Sequence, residues 1–210
     1  MTRSGSSVSA PSPASAPGSG RGPRPPRRIT LSSLENGALF YLQRFASSSA
    51  NLKRVLERRV ARAAKVRDDV DADQARVWID DIVRRFERSG LLDDQAFARA
   101  RAITLMRQGL SRRAINARLR QKGVKADAIA AALDHLATEA GDPDLAAACR
   151  LVRRRRLGPL RPVADQEGRR QRDLASLARA GFSAAVALRV LAATTVEALE
   201  VLEAEASQQA

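Results

Sequence analysis

Cysteine and histidine each occur once in this sequence of 210 residues, and aromatic side chains make up only 3% of it. A lone thiol, Cys149, excludes an internal disulfide. One cysteine and one histidine, His135, cannot assemble a zinc site, and neither lies in a recognisable nucleophile motif. No metal, cofactor or catalytic residue is therefore expected. Glycine-rich phosphate loops are also missing, since Gly18-Ser19-Gly20-Arg21-Gly22 follows no strand. No apolar run approaches the ~20 residues that span a bilayer, and the N-terminus lacks the apolar stretch of a secretory signal. These absences point to a cytoplasmic protein without a membrane partner. Alternating β-branched and aromatic runs are wanting as well, so no sheet is expected.

What remains is a helical composition. Apolar residues amount to 44% of the chain, and most are Ala, Leu and Val, of which Ala and Leu are strong helix formers. The fold class expected is all-α. Lysine and arginine total 37 against 23 acidic residues, a formal net charge of +14. Nearly all of the basic side is arginine, the lysines being Lys53, Lys65, Lys122 and Lys125. Such a chain repels itself unless something anionic is near, so nucleic acid, an anionic membrane or an acidic protein surface are the candidate partners. Arginine suits bidentate contacts to phosphate and carboxylate. A compositional bias in the coding DNA would enrich arginine equally.

Residues 1–29 are rich in Ser, Pro, Ala, Gly and Arg, contain no acidic residue, and are expected to form a disordered basic tail. The prolines oppose the amphipathic helix of a transit peptide. Beyond the tail, Ser32 with Glu35 reads as a capping box, followed by Leu39, Leu42 and Phe45 at helical spacing. Serines 47–49 cap a second helix with Leu52, Val55, Leu56 and Val60 on one face. Trp78, Ile79, Ile82, Val83 and Phe86 stripe a third, which Ser89-Gly90 ends.

The segment from Leu91 to Leu136 carries the plainest signals. Asp93 and Ser111 are natural N-caps. Leu92 with Phe97, and Leu110 with Ile115, are spaced as hydrophobic staples. Gly109 and Gly123 sit where left-handed C-caps belong. Asp93-Asp94 invites a reading as paired catalytic carboxylates, but neighbours on a helix point about 100° apart; capping and dipole complementarity account for both. Asp142-Pro143 opens another helix, with Leu145, Cys149 and Val152 inward. A loop is expected over 158–168, helices over 169–180 and 184–193, and a final acidic helix capped by Thr194 with Glu197.

An internal repeat joins these pieces. Leu42-x-Arg44-x-x-x-Ser48-x-x-x-Leu52-x-x-x-Leu56 matches Leu105-x-Arg107-x-x-x-Ser111-x-x-x-Ile115-x-x-x-Leu119, and Leu119-x-x-x-Gly123-Val124 matches Leu177-x-x-x-Gly181-Phe182. Repeats of this kind imply stacked helical modules. The expected division is three-helix repeats at 30–90, 91–141 and 142–193, with an additional helix and tail at 194–210. The outward arginines are the candidate binding residues: Arg107, Arg112, Arg113, Arg118, Arg120 and the run Arg153, Arg154, Arg155 and Arg156, with Arg99, Arg101 and Lys122 behind them. No single helix carries the cluster of Asn, Gln and Arg expected for base reading.

These motifs resemble the RecX family, regulators of the RecA recombinase. The resemblance rests on Ala38-Leu39-x-Tyr41-Leu42-x-Arg44-x-x-x-Ser48-x-x-x-Leu52-x-x-x-Leu56, on Gly90-Leu91-Leu92-Asp93-Asp94-x-x-Phe97-Ala98, and on Gly109-x-Ser111-x-x-x-Ile115-x-x-x-Leu119-x-x-x-Gly123-Val124, with a weaker echo in Leu174-x-x-Leu177-x-x-x-Gly181-Phe182. It covers roughly Leu34 to Leu191. Leu91 stands where family members often carry an aromatic, and the basic tail and the helix after Thr194 look like additions. The resemblance implies an elongated, non-enzymatic protein of tandem three-helix repeats. It implies binding in the groove of the RecA–DNA filament, mostly inhibiting recombinase, ATPase and coprotease activity in DNA repair and the SOS response. Its implied partners are the RecA filament and, nonspecifically, single- and double-stranded DNA, with the chain itself a monomer. The alternative is a general basic DNA-binding helical protein, nucleoid-like and without RecA specificity.

Overall fold

A computed structural model describes residues 28–139 and 141–208. Most of the expected tail therefore lies outside the described residues. Among those described there is no strand; the chain forms α1 (Leu31–Leu42), α2 (Ser49–Ala64), α3 (Ala72–Arg88), α4 (Asp94–Arg107), α5 (Arg112–Gln121), α6 (Ala126–Glu139), α7 (Pro143–Arg155), α8 (Val163–Arg179), α9 (Ala184–Leu191) and α10 (Val196–Ser207), with a 3-10 turn at Gly158–Leu160. The expected all-α architecture is observed.

Four helix starts follow from caps expected from the sequence. Ser48, Asp93, Ser111 and Asp142 each accept amides of the first turn of their own helix, satisfying donors that no intrahelical carbonyl reaches. Three starts differ from expectation. Thr30 caps α1 in a reciprocal capping box with Ser33, two residues before the expected Ser32 and Glu35. Thr195, not Thr194, caps α10 by accepting from Ala198 N; adjacent threonines leave the register open in sequence. The expected loop over 158–168 is instead the 3-10 turn and the beginning of α8, which starts after Pro162 and runs through Gly168. An internal glycine costs a helix only ~1 kcal/mol, and the turn before it is held by Asp173. The Asp173 carboxylate is almost fully buried and accepts from Gly158 N at 2.9 Å and from Arg161 Nη2 at 2.7 Å.

Two apolar cores form. The first joins Leu34, Leu52, Leu56, Ile79, Ile82 and Phe86 of α1–α3 with Leu92. The second is continuous from α4 to α10 and includes Leu105, Ile115, Leu119, Ile129, Leu145, Leu151, Leu177, Val190 and Leu199. Leu92 is thus buried with the first core while Phe97 packs against the second, so the staple expected between them is divided between the two. At the centre of the second core lies α7. Leu145, Ala146, Ala147, Ala148, Cys149, Leu151 and Val152 are all buried, because α4, α9 and α10 pack around it. Its alanines admit close backbone approach, and its leucines each contribute roughly 2 kcal/mol through burial.

Two side chains bridge successive triplets of helices in the same way. Ser48 Oγ donates to the carbonyl of Lys122 at 2.5 Å, and Ser111 Oγ to that of Ala180 at 2.9 Å. Each receiving carbonyl belongs to the C-terminal cap of the second helix in the next triplet. Asp94 Oδ1 accepts from Ser49 N at 2.8 Å, and Asp144 Oδ1 from Arg112 N at 2.7 Å. Asp93 caps its own helix as expected, and Asp94, in the first turn of α4, also serves the first turn of α2.

Candidate functional site

The second of these junctions opens into a groove of about 710 Å³. Its floor is Gly109, Leu110, Ala114, Leu151 and Gly181, and its rim carries Arg113 and Arg118 of α5, Arg154 and Arg155 of α7, and Arg179 of α8. All five arginines are exposed and no carboxylate lines the groove. Arg155 is steadied by donating Nη1 to Ser176 Oγ at 2.8 Å. Five planar, permanently charged forks around one concavity raise the local potential and match phosphate or carboxylate bidentately.

The local cost of this arrangement is visible at α5. Its first turn has no acidic residue and instead opens on Arg112 and Arg113, although a helix N-terminus favours negative charge. Asp144 from α7 supplies the missing anion by taking the Arg112 amide. Arg113 is left pointing its charge into the groove, where an external anion would meet both the guanidinium and the helix dipole.

The other sequence-predicted arginines divide by environment. Arg112 lies 3.9 Å from Asp134. Arg153 pairs with Glu203 at 3.0 Å and Glu200 at 3.9 Å, both on α10. Arg156 takes the left-handed C-cap of α7, with φ 52°. Arg101 and Lys122 line a second groove, at the first junction. Arg99, Arg107 and Arg120 are exposed outside both grooves. Arg179 is a groove residue that sequence reasoning missed. The repeat gave no signal for it, since the matching place before Gly123 is Gln121.

Neither of the nucleophile candidates enters these grooves. Cys149 is fully buried, and burial, with Glu203 nearby, pushes its thiol up to about 11. His135 is half-buried on α6. Among the described residues no group of three or more His, Cys, Asp or Glu is arranged to hold a metal ion, and no helix is long and apolar enough to cross a membrane.

The profile for the second three-helix domain of RecX matches residues 93–133, from the N-cap of α4 into α6. The regulatory protein RecX of Myxococcus xanthus is 41% identical over 172 residues, covering 81% of this chain and 90% of the relative. The chain belongs to the RecX family. Regulatory protein RecX of Agrobacterium fabrum is 30% identical over 177 residues, covering 84% of this chain and 91% of its own. Among solved structures, RecX from Lactobacillus salivarius superposes with a TM-score of 0.53 at 18% identity, over 77% of this chain and 96% of that one. A second crystal structure of regulatory protein RecX gives 0.52 at 22% identity. Both support the fold. The relatives are named as regulatory proteins, and the family resemblance read over roughly Leu34 to Leu191 stands.

Proposed function

We propose that this chain binds the RecA–DNA filament in the cytoplasm, as a monomer, and restrains RecA, limiting filament growth and with it ATP hydrolysis, strand exchange and coprotease activity. The three helix triplets act as successive modules, each laying an arginine-bearing face along the fibre. The observation that carries the reading is the convergence of Arg113, Arg118, Arg154, Arg155 and Arg179, from three helices, on one groove without a carboxylate. Phosphates of the bound DNA or carboxylates of RecA would neutralise it, and the relatives' name as regulatory proteins suits a regulator.

The test is DNA-dependent ATP hydrolysis by RecA, titrated with the wild-type chain and with Arg113→Glu/Arg154→Glu. The wild type is expected to inhibit below one molecule per RecA. The variant, with unchanged helicity, is expected to need about tenfold more protein. Full inhibition by the variant would remove the groove from the interface. A general DNA-binding protein would lose its effect in parallel with bare-DNA affinity as salt rises, whereas a filament regulator keeps acting where bare-DNA binding has gone.

A further inference from the structure

Aromatic side chains are scarce in this chain, yet they gather at the first junction. Of five phenylalanines, one tyrosine and one tryptophan, the tyrosine and two phenylalanines line a groove of about 460 Å³ between the α1–α2 turn and α4: Tyr41, Phe45 and Phe97. A third phenylalanine, Phe40, stands beside it, with Arg44 over its ring at 4.8 Å. Arg44, Arg101 and Lys122 complete the charged lining, and no carboxylate is present.

Tyr41 and Phe97 are anchored on the first and second cores, but the outer members of this cluster do not behave as core. Phe40 and Phe45 are 59% and 56% exposed, whereas Phe86 and Phe182 are buried. Its geometry is nevertheless fixed. Asn51 Nδ2 donates to Tyr41 Oη at 3.1 Å and to Ser47 Oγ at 2.9 Å. The Tyr41 and Phe45 rings lie 5.2 Å apart and inclined at 40°, and more than half of Phe45 stays exposed. The volume falls in the ~300–1,000 Å³ range of ligand sites. Flat apolar faces ringed by cations fit a ligand that is itself flat, apolar and attached to an anion.

We propose that this groove holds unpaired bases of single-stranded nucleic acid, stacked on Phe45 with Tyr41 and Phe97 alongside, while Arg44, Arg101 and Lys122 take the flanking phosphates. Duplex DNA keeps its bases stacked inside and cannot use the rings. The groove thus adds selectivity for single strand at a site separate from the arginine groove, and it operates without RecA.

The test uses the full chain and naked oligonucleotides: a labelled oligo-dT, an abasic strand of equal length and charge, and a duplex. Wild type is expected to bind oligo-dT more tightly than the abasic strand. Phe45→Ala is expected to weaken oligo-dT binding about 5- to 50-fold while leaving abasic and duplex binding unchanged, and Phe45→Trp to restore it. Phe45 is exposed, so the fold should survive, which circular dichroism and an unchanged duplex affinity would verify. Equal wild-type affinity for oligo-dT and abasic strand, or equal losses on all three ligands, would overturn the proposal. So would unchanged oligo-dT binding by Phe45→Ala together with lost RecA inhibition, which would make the groove a protein-docking surface. Failure of the arginine-groove variant to affect RecA bears on none of these readouts.

Discussion

The hydroxyl of Ser111 accepts the amide of Ala114 at 3.2 Å and donates to the carbonyl of Ala180 at 2.9 Å. One buried side chain therefore caps α5 and ties it to the end of α8. Gly181, with φ +89°, completes the contact, since a Cβ there would lie 2.5 Å from Ser111 Oγ. Ser48, Lys122 and Gly123 repeat the arrangement, with Ala50 as the near neighbour of the glycine. The spacing of successive triplets is thus set by a serine, a carbonyl and a glycine.

Ser111→Ala removes both bonds and leaves the Ala180 carbonyl without this donor. A loss of about 2 kcal/mol is expected in urea unfolding, from a lost cap and a lost buried hydrogen bond. Gly181→Ala alone should cost at least as much, through a strained backbone and the clash with Ser111. Combined, the two should cost less than their sum by about 1 kcal/mol, because removing the hydroxyl relieves part of the clash. Strict additivity would show that the two residues do not press on each other.

Asp173 gives the chain an acid-sensitive joint. Burial pushes its pKa up, but the Arg161 guanidinium and the Gly158 amide outweigh this and hold it below the ordinary carboxylate value. A depressed folded pKa stabilises the protein above the unfolded value of 3.8, and that stabilisation fades as pH falls through the folded value. Asp173→Asn is expected to cost about 2 kcal/mol at neutral pH. The difference between variant and wild type should shrink as urea unfolding is repeated at successively lower pH below 4. A gap independent of pH would mean that the charge of Asp173 contributes nothing.

Much of this was legible in the sequence, and the boundary is physical. Caps, staples and left-handed glycines act within one turn, so Asp93, Ser111, Asp142 and Gly123 could be read without a fold. The Leu-Arg-Ser-Leu repeat announced stacked triplets. What could not be read was anything carried between elements. Asp94 lies in the first turn of α4 as its dipole role requires, but it also accepts the Ser49 amide at the start of α2. Arg153, one of four consecutive arginines, faces α10, whereas Arg154 and Arg155 reach the groove. Rotation by 100° per residue decides that partition, and only the packing of α7 fixes the zero of the rotation. Arg179 joined the site through the same tertiary placement.

The acidic helix α10 competes with any anion for α7. Glu203 pairs with Arg150 at 3.2 Å and with Arg153 at 3.0 Å, and its own side chain is only 18% exposed. Glu200→Gln/Glu203→Gln frees these cations while keeping the volume of both side chains. Affinity for duplex DNA at low salt is expected to rise about threefold, and the slope of log K against log salt to steepen by about 1, as Arg153 gains a phosphate. Unchanged slope with unchanged stability would show that α10 leaves Arg153 already available.

Cys149 should behave as a buried reporter. With its thiol pushed up to about 11, only about one thiol in a thousand ionises at pH 8, and access is closed as well. A disulfide exchange reagent is expected to label the native chain no faster than the protein opens, and the urea-unfolded chain within seconds. Rapid native labelling would mean that α10 lifts from α7 readily.

Arg156 is the one residue other than glycine, among those described, with positive φ. At the equivalent end of α4 that place is taken by Gly109. A left-handed conformation costs a residue with a Cβ about 1 kcal/mol, and Arg156 is exposed, so its packing recovers little. Arg156→Gly should therefore stabilise the chain by up to about 1 kcal/mol in urea unfolding, the gain from relieved strain being offset in part by the entropy of an unfolded glycine. It also removes one charge from the end of α7, next to Arg154 and Arg155 on the groove rim. If Arg156 is kept for its charge, the stabilised variant should bind duplex DNA more weakly and inhibit RecA less. A variant that is both more stable and fully inhibitory would leave the arginine at this position without a role in binding.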